Sequence, residues 1–250
     1  CTECGVSGLR PTFGRVSRHG CMALTWSMDK IGPLARSVED TALILGAIHG
    51  ADGKDATAID RDFTWPCRKP LSEIRVGYTE GILDAMDRDE LKVLKERGLK
   101  LTKIALPTGF PLRAMQLILN IEASAAFDEL VLKNDSDGLG KWPEIFRRAR
   151  FIPAVDYLRA QRVRTKLMRA MERMMDGIDL YLSREDLVIT NFTGHPTICI
   201  PGGFRKEKDE PERPTGLTFT GRLFGESDLL AVAKAYQDAT SFHTKRPPLG

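Results

Sequence analysis

Serine residues near the start of the chain are the first candidates for nucleophilic chemistry. Ser7, Ser17 and Ser27 are available there, and a serine hydroxyl needs a neighbouring base to take its proton. Lys30 directly follows Asp29, an arrangement that favours an ion pair with a structural role. None of the three serines stands in a sequence setting typical of an activated nucleophile. We therefore predict no catalytic triad within these 250 residues.

Histidines and cysteines are spaced in a way that does not indicate a metal or redox site. His195 stands in a Thr-Gly-His-Pro turn with no evident acid or nucleophile partner, and the other three histidines are isolated. Cys1 and Cys4 form a C-x-x-C pair, but no second pair or histidine cluster completes four zinc ligands. The five cysteines are odd in number and scattered, which favours free thiols in a reducing compartment. The sequence thus predicts no metal, no cofactor and a cytoplasmic location.

The overall composition is typical of a globular protein. The chain is 42% apolar and 28% charged, and its net charge of +3 is too small to indicate a nucleic-acid partner. It contains no run of eighteen or more apolar residues, so no membrane-spanning helix is predicted. Its length is sufficient to bury a sizeable core.

Strands and helices alternate along the sequence, and these elements must position the candidate residues. Apolar periodicity and capping residues predict them. The predicted helices cover 38–48 (capped by Ser37), 88–97, 111–133, 154–175 and 228–240, and the predicted strands cover 74–78, 101–106, 178–182, 187–190, 197–201 and 216–221. A loop is predicted at 51–70, a break at 134–138 and a charged turn at 206–213. The alternation indicates an α/β fold with crossover helices.

Two of these helices carry distinctive faces. The 38–48 helix is apolar around most of its circumference, so we expect it to be buried. The 154–175 helix places several methionines on one face, which predicts core packing. Its other face should be solvated, because it carries six basic residues and no interleaved aromatics for RNA binding: Arg159, Arg162, Arg164, Lys166, Arg169 and Arg173.

A loop rich in glycine and proline opens the chain, and its residues carry a family resemblance. It reads ECGVSGLRPTFGRVSRHG and is followed by WSMDKIGPLARSVEDTALILGAIHGADGKDAT. Further segments read ARFIPAVDYLRAQRVR, TNFTGHPTICIPGGF and GLTFTGRLFGESDLLAVAKAYQDAT. In this order the segments resemble the amidase signature family, which hydrolyses carbon–nitrogen amide bonds.

The resemblance implies a fold and a mechanism. It implies an α/β/α sandwich around a mixed sheet, with residues 1–250 forming a single partial domain whose N-terminal part is missing. It also implies a serine nucleophile in a Gly-Gly-Ser-Ile-Arg motif, a bridging serine after a cis peptide bond and a buried lysine base. All three belong upstream of Cys1, so we expect the isolated chain to be inactive. Missing cover should leave apolar surface and a strand edge exposed.

The same resemblance places two segments of this chain beside the substrate. Asp29-Lys30-Ile31-Gly32-Pro33 follows the signature, and Asn191-Phe192-Thr193-Gly194 is similar to a family turn that flanks the substrate region. The predicted substrate-binding residues are Asp29, Asn191, Thr193 and Gly194. The alternative is that both segments are tight turns in which Asp and Asn cap backbone groups.

Three functions remain open on the sequence. Only four residues, 183–186, separate the strand after Asp179 from Leu187, where family members usually carry a long loop. That shortening favours a general amidase. Its expected partner is a small-molecule amide substrate, and a homodimer is one of the assembly states left open. The alternative is the A subunit of a glutamine-dependent tRNA amidotransferase, which would need a partner subunit. From another class, the chain could be a non-catalytic α/β binding module.

Overall fold

A computed structural model describes residues 1–79, 89–133, 137–183, 187–206 and 212–246. Within these residues the strands form one mixed sheet in the order β2-β1-β6-β7-β5-β3-β4. The strands are β1 (Ser7–Arg10), β2 (Leu34–Ala35), β3 (Arg75–Thr79), β4 (Lys100–Ile104), β5 (Leu180–Ser183), β6 (Thr197–Arg205) and β7 (Arg213–Gly221). Strand β3 runs parallel to β4 and β5, and the other pairs are antiparallel. The mixed sheet confirms the predicted architecture.

Helices cover both faces of this sheet. They are α1 (Val38–Ile48), α2 (Asp89–Glu96), α3 (Leu112–Met115), α4 (Leu117–Ala126), α5 (Asp128–Leu132), α6 (Trp142–Ala149), α7 (Ala154–Met175), α8 (Leu187–Thr193) and α9 (Glu226–Thr240). Ser37 caps α1 as predicted, since its Oγ accepts the Asp40 N–H at 3.0 Å. The β3-α2-β4 unit and the bounds of α7 are also confirmed.

Two apolar cores lie on opposite faces of the sheet. The first contains Val38, Ala42 and Leu45 of α1 together with the inward residues of α2 and α9. The second contains Ile118 of α4, Ile189 and Phe192 of α8, and the methionine face of α7. Alternate residues of β5 point into different cores, Leu180 and Leu182 into the first and Tyr181 into the second. The fold is therefore an α/β/α sandwich.

The prediction of a strand at 187–190 was wrong, because these residues begin α8. The β-branched residues there suggested a strand. In the structure the hydroxyls of Thr190 and Thr193 donate to the carbonyls of Leu187 and Ile189, one turn back. Ile189 and Phe192 lie three positions apart and both enter the second core, so helical spacing satisfies the packing.

Of two further predictions, one is refined and one is wrong. The stretch 111–133, predicted to be mostly helical, is divided into three short helices, and the ring of Phe127 between the last two stacks on Phe146 with centroids 5.2 Å apart. Helix α1 is buried on one side only, since Leu43 is 60% and Ile44 40% exposed. The helix packs against the sheet and α9, which leaves its outer apolar residues at the surface.

Some predicted connections lie outside the described residues: the start of the second helix at Arg88, residues 134–136 of the break, 184–186 and 207–211. The five cysteines are free thiols, as their number predicted. Among the helices described, none combines the length and apolar character needed to cross a bilayer.

Candidate functional site

The carboxyl end of β1 meets helix α8 through Arg10. The Arg10 guanidinium donates from Nη1 to Asn191 Oδ1 at 2.7 Å and from Nη2 to the Thr190 hydroxyl. Arg10 and Asn191 are 181 positions apart in the sequence. Strand β1 continues into a loop that is held on α9 by a buried ion pair, in which Arg15 Nη2 lies 2.8 Å from Glu226 Oε2.

A compact turn over residues 24–30 forms the neighbouring wall. Asp29 Oδ2 accepts the backbone N–H groups of Leu24 and Thr25, each at 2.8 Å. The Asp29 N–H in turn donates to the Thr25 carbonyl at 2.8 Å. Asp29 therefore does cap backbone groups, and this fixes the position from which Lys30 extends.

Glu122 of α4 and Arg164 of α7 both bind this turn through Ser27. Glu122 accepts hydrogen bonds from the hydroxyls of Thr25, Ser27 and Tyr157. Burial raises the pKa of Glu122, but the hydrogen bonds from Thr25 and Ser27 outweigh burial and the pKa is lowered. The carboxyl group therefore stays ionised in the turn.

Arg164 does not belong to the solvated face of α7 on which the sequence placed it. Its guanidinium donates to the Ser27 carbonyl at 2.7 Å, the Ser27 hydroxyl at 2.8 Å and the Phe192 carbonyl at 2.6 Å. These acceptors come from two distant segments, which periodicity within α7 cannot show. Arg164 thereby ties the 24–30 turn to α8.

A cavity of about 270 Å³ lies between these segments. Its lining combines polar residues from the turn, β1 and α8 with apolar side chains: Arg10, Leu24, Thr25, Met28, Asp29, Lys30, Gln116, Leu119, Val188, Asn191 and Phe192. A second cavity, of about 520 Å³, shares Leu24, Asp29 and Lys30 with the first. Lys30 thus lies where the two cavities adjoin.

Lys30 has an unusual ionisation state. Its Nζ donates to the Met28 carbonyl at 2.5 Å. Burial, followed by the positive charges of Arg10 and Arg164, lowers its pKa from 10.5 to about 7, although Asp29 acts in the opposite direction. The amine therefore changes its charge close to neutral pH.

A sequence model described as Amidase matches residues 1–185. The chain belongs to the amidase signature family. The A subunit of glutamyl-tRNA(Gln) amidotransferase from Chloroflexus aggregans is 33% identical to it in an alignment 305 residues long, gaps included, which covers 98% of this chain and 61% of the relative. The chain also spans 62% of the corresponding protein of Legionella pneumophila. The present chain therefore spans about three fifths of the length of these relatives.

Solved structures agree with this amidase signature assignment. The A subunit of glutamyl-tRNA(Gln) amidotransferase from Thermotoga maritima superposes with a TM-score of 0.72 at 25% identity, over 95% of this chain and 58% of that chain. The native peptide amidase of Stenotrophomonas maltophilia superposes with a TM-score of 0.78 at 22% identity, over 96% and 59%. At 22% identity, the superposition on the peptide amidase shows only that the two proteins share a fold.

The predicted substrate-facing residues of this amidase signature chain fall in two places. Asp29 and Asn191 both line the smaller cavity. Thr193 and Gly194 do not line it: the Thr193 hydroxyl bonds the Ile189 carbonyl at 3.0 Å, and the Gly194 carbonyl accepts the Phe13 N–H at 3.0 Å. Gly194 has φ +79°, which suits the sharp exit from α8. Their contact with substrate stays a prediction.

Sequence reasoning missed Arg10 and Gln116. It placed Lys30 in a segment beside the substrate but did not name it among the substrate-binding residues. The quoted loop contained Arg10, but its neighbours Gly8 and Pro11 indicated backbone shape and no ligand contact. The three early serines have structural partners. Ser7 Oγ accepts from Gln237 Nε2 at 3.0 Å, Ser17 donates to Asp52 at 2.7 Å, and Ser27 is bound by Glu122.

Proposed function

We propose that the protein hydrolyses carbon–nitrogen bonds of small-molecule amides and that the smaller cavity is one wall of its substrate site. The supporting observation is the cavity itself, with an apolar body and convergent polar groups from β1, the 24–30 turn and α8. Ligand sites in proteins are commonly apolar clefts with a few placed polar groups. The 24–30 turn, which lines this cavity, directly follows the loop whose sequence resembles the family's signature.

In this proposal the reacting groups lie outside these 250 residues. A serine attacks the amide carbonyl, a lysine takes its proton through a bridging serine, the amine leaves and water hydrolyses the acyl-enzyme. The present chain orients the substrate. Asn191 is suited to this role, since Arg10 occupies its Oδ1 and its Nδ2 makes no hydrogen bond with the described residues. That amide can donate to a substrate carbonyl.

The test compares the 250-residue chain with the complete reading frame of its gene. Both are incubated with a panel of aryl and alkyl amides and with a fluorophosphonate serine probe. We expect hydrolysis and labelling only in the longer protein, and loss of both when its Gly-Gly-Ser serine is changed to alanine, because members of a triad act as a unit. Specific labelling of a serine within the 250 residues would contradict the proposal.

The A subunit of a tRNA amidotransferase is the second candidate, and the curated relatives at 31–33% identity favour it. The short connection at 183–186 favours a general amidase instead. The two differ in their requirements: the amidotransferase component would release ammonia from glutamine and would need a partner protein. Hydrolysis of simple amides by the complete protein alone, with no glutaminase activity, would support the general amidase.

A further inference from the structure

We propose that the smaller cavity binds a carboxylate, with the Lys30 ammonium as its direct partner and Arg10 beside it, so that the protein's substrates combine an apolar body with a carboxylate group. The proposal rests on the proposed function in treating this cavity as the substrate site. The binding itself can be measured without turnover.

The cavity has the shape and lining that such a ligand requires. Its apolar lining comes from three segments of the chain: Leu24 and Met28 of the turn, Leu119 of α4, and Val188 and Phe192 of α8. Its cationic lining is provided by Arg10 and Lys30. A volume of about 270 Å³ is sufficient for a small aryl or alkyl acid.

Among the described residues, Lys30 carries a charge that Asp29 compensates only in part. Its hydrogen bond goes to a neutral acceptor, the Met28 carbonyl, and no carboxylate of the described residues forms an ion pair with it. Asp29, its sequence neighbour, already binds the N–H groups of Leu24 and Thr25. A half-buried ammonium without a carboxylate in direct contact favours an incoming anion, because the anion replaces the solvation that burial removed.

The charges that face Lys30 also favour an anion. Arg10 extends from β1, Arg164 from α7 and Arg18 from the loop after β1, and all three lower its pKa, whereas Asp29 raises it. A carboxylate bound at Lys30 would reverse this balance and raise the pKa again. Anion binding should therefore be linked to protonation of Lys30.

The experiment measures the affinity of two matched ligands by calorimetry: 3-phenylpropanoate and its neutral amide, 3-phenylpropanamide. At about pH 6, where Lys30 is protonated, we expect the acid to bind the chain at least about tenfold more tightly than the amide. Raising the pH to about 9 should weaken the acid at least about tenfold, since the amine then loses its charge, and should leave the amide unchanged.

Three variants distinguish a specific effect of Lys30 from a general effect of the protein's positive charge. Lys30→Gln should remove the preference for the acid, and Lys30→Arg should keep it and abolish the loss of affinity at high pH, because a guanidinium does not deprotonate there. Lys54→Gln is the matched control. Lys54 lines the larger cavity only, so the same charge is removed without changing the smaller one.

Equal affinities for acid and amide in the unchanged chain would overturn the proposal, as would equal effects of Lys30→Gln and Lys54→Gln. Lys30→Arg keeps the test valid if Lys30→Gln fails to fold. The outcome is independent of the proposed function: amide hydrolysis without a preference for acids would overturn only this inference. Acid binding without hydrolysis in the complete protein would overturn only the proposed function.

Discussion

The two faces of strands β1, β6 and β7 are built from different kinds of residue. One face contributes apolar side chains to the first core: Leu9, Ile198, Ile200, Leu217 and Phe219. The residues that alternate with them are small or polar: Gly8, Arg10, Thr197, Cys199, Thr218 and Thr220. Strand β5, in contrast, contributes apolar side chains to both cores. The polar face is therefore shared by three adjoining antiparallel strands, β1, β6 and β7.

This difference separates stability from binding. The apolar face packs under α1 and α9, where burial of apolar area favours folding. The small residues of the polar face let the start of the chain pack closely on the sheet, since a Cβ added to Gly216 would lie 2.2 Å from Thr2 Oγ1. Arg10 alternates with Leu9, so the strand that anchors the first core also presents the cation of the candidate site.

Adjacent residues of β7 offer the largest test of this comparison. Phe219 is fully buried in the first core, and Thr218 lies on the opposite face. Phe219→Ala should lower the free energy of unfolding by about 3–5 kcal/mol, because it removes a large side chain and leaves a cavity. Thr218→Ala should cost about 1 kcal/mol. Chemical denaturation of both variants measures the difference, and similar losses would contradict the comparison.

Acid should destabilise the protein through His195, which lies between α8 and β6. Burial lowers the pKa of this histidine from 6.5 to about 4. The unfolded chain binds the proton first, so stability should fall as the pH drops from 6.5 towards 4 and should not change for this reason above 6.5. The loss amounts to about 3 kcal/mol.

The measurement is the free energy of unfolding against pH for the unchanged chain and for His195→Gln. Asp179 and Glu122, whose pKa values are lowered in the folded protein, also reduce stability in acid, but they do so equally in both chains. The variant should show the smaller decrease between about pH 7 and pH 4. Parallel curves would show that His195 does not titrate as expected.

Gly32 tests the contact between β1 and the segment that carries Lys30. A Cβ at this position would lie 2.0 Å from the Leu9 carbonyl oxygen, and a backbone atom cannot move aside alone. Gly32→Ala should cost about 1–3 kcal/mol and should weaken ligand binding in the smaller cavity. Gly177→Ala is the control, because its added Cβ has no atom of the described residues within 4 Å apart from those of its chain neighbours. Thermal melts and the calorimetric assay would report both effects.

The outer surface of α1 should give the smallest effect on stability. Leu43 is exposed and lies opposite the side that packs on the first core. Leu43→Lys should change the free energy of unfolding by less than about 0.5 kcal/mol. It should also reduce binding of a hydrophobic dye, since it interrupts the apolar patch with Ile44 and Ile48. Unchanged dye fluorescence would show that the patch is not the binding surface.

Local sequence determined the elements whose signals are contained within a few residues. Ser37 predicted the start of α1 because its hydroxyl caps a nearby N–H, and the methionine spacing predicted α7. The β3-α2-β4 unit followed from short apolar runs and from Gly98, which takes φ +81° after the helix. The signature segments indicated the family, and with it the α/β/α sandwich.

Only the tertiary structure decided which polar residues meet. Arg10 binds Asn191, which is 181 positions away in the sequence. Arg164, which the sequence placed on the solvated face of α7, binds the carbonyl groups of Ser27 and Phe192. Helix α8 likewise forms despite the strand preference of its β-branched residues, because helical spacing places both Ile189 and Phe192 in the second core. Propensity acts between neighbours in sequence, whereas burial and charge act between neighbours in space. The cavity around Lys30 is a product of the second kind of interaction.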